Sequence, residues 1–195
     1  MSRKTVDVVV STIGLVAAVA LLVVGTVAWV GHSFIDTQVH NQLASQKIFF
    51  PPKGSPATAG PQFAAMRQYA GQQLLTGQQA KTYADHFIAV HLSEVAGGKT
   101  YAQVSAAALA DPKNATLQGQ ADTLFKGTAL RGLLLNAYAF GTVGRLAGDA
   151  AIVMWITGGI LLVLAVLGYV HAGRETAAGT RVEAISRERA EAKAA

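Results

Sequence analysis

Two runs of apolar residues constrain this chain more than anything else in it. Val6 to Val30 reads VDVVVSTIGLVAAVALLVVGTVAWV, twenty-five residues with one charge, Asp7, at its edge. Ala150 to Val170 reads AAIVMWITGGILLVLAVLGYV, twenty-one residues with none. At about 1.5 Å of rise per residue, each is long enough to cross roughly 30 Å of hydrocarbon. The sequence therefore predicts two transmembrane helices.

The first run is read as an uncleaved signal anchor rather than a cleaved signal peptide. Its apolar stretch exceeds the usual core of about 7–15 residues, and the exit AWVGHS lacks small residues at both specificity positions. Flanking cations set the expected orientation. Arg3 and Lys4 precede the first span, Arg174 and Arg181 follow the second, and the nearest cations beyond the other ends are Lys47 and Arg145. The positive-inside bias then places both termini in the cytoplasm of a plasma membrane. The expected organisation is a cytoplasmic N-terminus (1–5), a first span (6–30), an extracytoplasmic helical domain (31–148), a second span (149–171) and a charged cytoplasmic tail (172–195).

The formal charge of +5 raises the question of nucleic acid, and its distribution answers it. No stretch concentrates cations, and the tail nearly cancels, with five basic and four acidic residues. Nothing here tracks a phosphate backbone. The chain has no cysteine, so an outer domain holds itself together without disulfides.

Within 31–148 the pattern is helical. Ile35, Val39 and Leu43 recur at i, i+4, i+8, predicting that the first helix continues past the span. KIFFPPKGSPATAGP interrupts it, because tandem prolines favour an extended path. Phe49 and Phe50 before those prolines either fill the domain core or dip into the lipid interface. QFAAMRQYAGQQLL reads as a short helix. Thr76–Gln79 and Thr100–Gln103 both fit the capping box, predicting helices at about 77–96 and 101–110. Gly97-Gly98 and Asp111-Pro112 end them. A last helix from about 115, with bends expected near Gly141, Gly144 and Gly148, leads into the second span. No segment alternates with period two, so the fold class is all-α.

Small residues recur every seven positions on both spans. Ser11, Ala18 and Gly25 lie on the first, and Gly144, Ala151, Gly158, Ala165 and Ala172 on the second. Where apolar burial drives little, small residues let helix backbones approach. These eight positions are expected to form a packing seam, either between two antiparallel spans of one molecule or against another protein's helices.

The stretch YADHFIAVHLSEVAGGKTYAQ, residues 83–103, gathers two histidines, two acids and two tyrosines. On an ideal helix, His86 and His91 sit about 140° apart and about 7.5 Å along the axis, too far for one ion. His91 and Glu94 share the apolar face and can hydrogen-bond or co-ligate. Asp36 and His40 form an i, i+4 pair on the membrane-proximal helix. Asp36, His40, His91 and Glu94 are therefore the candidate ligand or metal residues, with a buried structural His–Glu pair as the other reading. No catalytic residue and no resident cofactor is otherwise assigned.

The strings QKIFFPPKG, YAGQQLLTG, YADHFIAVHLSEVAGGKTYAQVS and LRGLLLNAYAF, covering the chain from His40 to the second span, resemble a bacterial family of two-span membrane proteins of unknown function. Its members are often labelled aromatic ring-opening dioxygenases. The resemblance implies the membrane architecture. Extradiol ring cleavage would require Fe(II) on two histidines and a carboxylate, and His86, His91 and Glu94 do not converge on one helix face.

These readings favour a non-enzymatic, membrane-anchored accessory or scaffolding module of an envelope or membrane complex, with the lipid bilayer and a membrane or envelope protein as partners. The alternatives are a metal-dependent oxidoreductase holding a divalent metal, and a binder of a small apolar ligand.

Overall fold

The computed structural model describes residues 3–194, without the side chains of Arg3 and of most residues past Arg174. Of the cations on which the expected orientation rests, the side chain of Arg3 lies outside the described ones, and those of Lys4, Arg174 and Arg181 are described and exposed. The described residues are helical apart from the connections, and form no strand. Helix α1 runs Arg3–Ser45, α2 Gly77–Tyr83, α3 Ala89–Ala96, α4 Tyr101–Ala110 and α5 Ala115–Ala194. A π-turn, Ala84–Ile88, joins α2 to α3. The 3-10 helices Pro56–Thr58 and Pro61–Tyr69 occupy the connection between α1 and α2.

The chain divides into two compact units, Met1–Val30 with Ala147–Ala195, and Gly31–Leu146. The first unit is the two long apolar helix segments. Both α1 and α5 are long and apolar enough to cross a membrane, and only 17% of the most apolar window of each is buried. A core helix of a water-soluble domain would hide most of such a window. What is buried here is small. Ser11, Ala18, Ala151, Ala165 and Ala172 are 5% exposed or less, and Gly25 and Gly158 are buried with them. A Cβ built on Gly14 would lie 3.8 Å from that of Ala165, and one on Gly158 would lie 3.1 Å from the carbonyl oxygen of Ala18. At Gly25 it would meet Trp155 at 3.0 Å and Met154 at 3.2 Å. Close approach of this kind needs a residue without a side chain on one partner. Polar groups are tied off across the same contact. The Tyr169 hydroxyl donates to Thr12 Oγ1 at 2.8 Å, Thr12 being committed as donor to the Val8 carbonyl. Trp29 and Trp155 rings pack at 5.3 Å.

The second unit is built from large side chains. Leu43, Phe50, Met66, Leu74 and Leu134, all 2% exposed or less, form its core with Val39, Phe63, Ala80, Ala84 and Ile88. A smaller cluster of Ala96, Val104 and Leu124 lies beside it, bridged by Leu92. Ile35, Val39 and Leu43 face inward on one side of α1, as their spacing requires. The Pro51-Pro52 segment is not helical, and just ahead of it the chain makes an isolated antiparallel bridge, Phe49 with Gln73. Phe50 N donates to Gln72 O and Leu74 N to Ile48 O, both at 2.9 Å. The expected helix over QFAAMRQYAGQQLL is therefore corrected. It is a 3-10 helix that ends at Tyr69, after which Gly71 turns the chain at φ 75° so that residues 72–74 pair with 48–50. Of the two phenylalanines, Phe50 fills the core, 2% exposed against Tyr69 and Tyr83, and Phe49 is 55% exposed.

Both capping boxes form. Thr76 and Thr100 accept from the amides of Gln79 and Gln103, whose side chains return the bond. Gly97 closes α3 in the left-handed conformation, φ 57°. Helix α5 carries helical geometry through Gly141, Gly144 and Gly148 without interruption.

Candidate functional site

The π-turn in the 77–96 segment decides where the chemically capable residues point. A π-turn holds an extra residue and so rotates everything after it. Buried hydrophobic positions in this segment recur by fours, Ala80, Ala84, Ile88 and then Ala96, with Leu92 packed between them. An uninterrupted α-helix would have placed His91 and Glu94 on the inner face together. Instead Glu94 and Val95 are exposed, and His91 is half-buried.

His91 Nδ1 donates to the Phe87 carbonyl one turn back at 2.8 Å, which fixes the tautomer with Nε2 as acceptor. Its ring stacks at 4.3 Å from Phe87 and 5.7 Å from Phe63. His86 Nδ1 bonds the Gln62 carbonyl at 3.3 Å. Each histidine is engaged by backbone, and neither faces the other.

Asp36 and His40 are exposed on α1. Among the described residues no three His, Asp or Glu gather where one ion could be held. Asp36, His40, His91 and Glu94 are accordingly not brought together. The physical reason lies in the π-turn, which turns Glu94 outward, and in the exposed face of α1 that carries Asp36 and His40. The outer seam residue, Gly144, is buried within the second unit, where a Cβ would meet Ile35 at 2.9 Å and its carbonyl accepts from His32 Nδ1 at 2.9 Å.

The residue that the π-turn does present is Asp85. Its Oδ2 accepts from Lys81, its Oδ1 accepts from Arg131 Nη2 of α5 at 2.9 Å, and the carboxylate is 25% exposed. Lys81 also sits 5.4 Å from the Tyr138 ring centroid. The Lys81 bond holds the Asp85 carboxyl below its ordinary range, against partial burial, with Arg131 adding to the effect. The same bond raises Lys81. An aspartate fixed in its ionised form by two cations is a poor proton acceptor at neutral pH, since its conjugate acid is too strong. The triad works as a clamp that holds the π-turn to α5.

Sequence reasoning missed a different feature, a groove of about 350 Å³ between α1 and α5 in the second unit. Its floor is Ile35, Val39, Leu43 and Ala137. One rim is an amide row, Gln38, Gln42 and Gln46 at i, i+4, i+8, and Asn136 stands on the other side. Phe34, Leu133 and Phe140 border it while 63%, 63% and 56% exposed. No ionisable side chain lines it. The signal in the sequence was the glutamine row running one step beside the Ile35–Val39–Leu43 row. A second hollow, of about 240 Å³, holds Lys53 and Arg67, but Arg67 is spent on the carbonyls of Ala59 and Gly60.

No protein family, curated protein or solved structure matches the chain.

Proposed function

We propose that this chain is a membrane-anchored accessory or scaffolding module of a bacterial envelope or membrane complex. Its two apolar helix segments cross the membrane as an antiparallel hairpin, both termini are cytoplasmic, and residues 31–148 form a small extracytoplasmic domain that engages another protein. The two-span family that the sequence resembles has the same architecture.

The hairpin reading is supported by the order of the close contacts. Ser11, Gly14, Ala18 and Gly25 meet positions that fall in number along α5, from Gly168 through Ala165 and Gly158 to Met154. The scaffolding reading is carried by one observation, the uncharged groove with its exposed aromatic border. Scattered apolar residues on a surface are ordinary, whereas a contiguous apolar hollow rimmed by amides is the form of a protein-binding site. The four candidate ligands do not converge, so the oxidoreductase reading has no built centre to rest on.

Native mass spectrometry of the intact protein in mild detergent tests the proposal. The expected result is a stoichiometric protein partner retained with the chain. A lone chain carrying a divalent metal, lost on His91→Ala, would overturn it, and so would a lone chain carrying a small apolar molecule.

A further inference from the structure

We infer that the groove between α1 and α5 is filled by the same groove of a second copy of this chain, so that the module is a two-fold symmetric dimer. This rests on the scaffolding reading and names its nearest partner.

The argument begins with charge. Residues 31–146 carry nine Lys or Arg against five Asp or Glu, a surplus of four positive charges. Two copies of such a unit repel across most of their surfaces. The groove is the exception, being lined by no ionisable side chain. Its polar groups are primary amides, each both donor and acceptor, so Gln38, Gln42, Gln46 and Asn136 are satisfied by their own kind.

Shape points the same way. An isologous interface requires that one patch carry both the projection and the hollow that receives it. Phe34, Leu133 and Phe140 project around a floor whose residues reach only Leu43 in size, with Ala137 within it.

Area is adequate. A phenylalanine or leucine of this exposure removes on the order of 100 Å² from water when covered, so three of them supply about 300 Å² per copy. The exposed amide side chains bring the patch toward the lower end of the roughly 800 Å² per partner of a specific interface, and the floor, with Val39 and Leu43 already buried, adds little. Copies tethered in one bilayer meet at raised effective concentration, which lowers the affinity each contact must supply.

The test uses the full chain in mild detergent and in native membranes. Native mass spectrometry is expected to show twice the 20.2 kDa chain mass. Phe140→Glu is expected to return monomer, while Leu109→Glu, at a still more exposed position outside the groove, leaves the dimer intact. The chain contains no cysteine, so single cysteines can be read without background. Gln38→Cys, Gln42→Cys or Asn136→Cys is expected to give an oxidative cross-link between copies in the membrane, and Leu109→Cys is not. This second readout keeps the wild-type aromatic border, so a folding defect in Phe140→Glu cannot decide the matter alone.

Monomer at every concentration, or a dimer indifferent to Phe140→Glu and to the cysteine positions, overturns the inference. A different protein retained by the wild type and released by Phe140→Glu overturns the second copy and leaves the scaffolding reading standing. A wild type that retains neither overturns both.

Discussion

The two units of this chain bury opposite kinds of residue. In the paired apolar segments the hidden positions are Ser11, Ala18, Gly25, Ala151, Gly158, Ala165 and Ala172, and the large side chains Val27, Ile13 and Val153 are more than 60% exposed. In Gly31–Leu146 the hidden positions include Phe50, Met66, Leu74 and Leu134. The difference teaches where the apolar surface goes. A unit that works in water must hide its large side chains, whereas helices in lipid gain little by hiding them and gain contact by hiding small ones. Substitutions in opposite directions should therefore injure the two units.

The largest effect is expected from Phe50→Ala. The ring is 2% exposed, stacks on Tyr69 at 5.1 Å and meets Tyr83 edge-on at 5.4 Å. Removing it costs roughly 3–5 kcal/mol, the usual range for a buried aromatic ring. Hydrogen exchange followed by mass spectrometry should show lost protection at residues 77–96. Protection in the spans should hold, and equal loss in both would break the comparison.

The reverse change tests the other unit. Gly158→Leu forces a side chain against the Ala18 carbonyl, where even a Cβ comes to 3.1 Å, and should cost about 1–3 kcal/mol. Its neighbour is a built-in control. Gly159 has nothing within 4 Å of an added Cβ, so Gly159→Leu should be close to neutral. Trp29–Trp155 packing offers the readout, through tryptophan emission during detergent or thermal denaturation. Equal loss at both positions would mean that the helices do not meet along the face that carries Gly158.

Much of this could be read from the residues, and the failures have one cause. The apolar runs, the two capping boxes, the Gly97 stop and the Ile35–Val39–Leu43 face each depend on interactions within a few residues, and all are present. The seven-residue spacing of small residues coincides with burial at all eight positions. What could not be read was set by distant parts of the chain. The π-turn at 84–88 exists where Asp85 reaches Arg131, forty-six residues on, and it was this turn that moved Glu94 off the inner face. The 3-10 helix at 61–69 and the bridge from Phe49 to Gln73 likewise answer to packing between segments. The groove needs two helices nearly a hundred residues apart, so only its glutamine row was visible in advance.

The Asp85 clamp sharpens the comparison, since it is a charge interaction of the unit built from large side chains. Lys81 and Arg131 keep the folded carboxyl below its ordinary 3.8. A depressed acid contributes stability that is complete well above the unfolded value and is lost as pH falls through the folded one. Asp85→Asn should therefore lower the unfolding free energy at pH 7 by about 1 kcal/mol, a small effect for a bond to a charged group because the site is partly wet. As pH falls below the ordinary carboxyl value and the wild-type Asp85 takes up its proton, the two curves should converge. A gap that persists unchanged at low pH would mean that packing, and not charge, holds the π-turn.

The smallest effect probes a place where the large-residue unit borrows the other's device. Gly77 opens α2 against the α5 backbone, and a Cβ there would sit 3.0 Å from the Ala137 oxygen and 3.1 Å from Tyr138 Cα. Neither atom is the end of a flexible side chain, so α2 itself has to shift. Gly119 is also helical, in α5, but is exposed with nothing within 4 Å. Alanine gains about 0.5–1 kcal/mol over glycine in a helix wherever its methyl fits, because the unfolded chain loses freedom. Gly119→Ala should gain about that much, and Gly77→Ala should lose a comparable amount despite the same intrinsic preference. Thermal melts of the two variants have to differ in sign for this to hold. If both stabilise, α2 can move away from α5 without loss, and small-residue contact matters only between the apolar segments of the first unit.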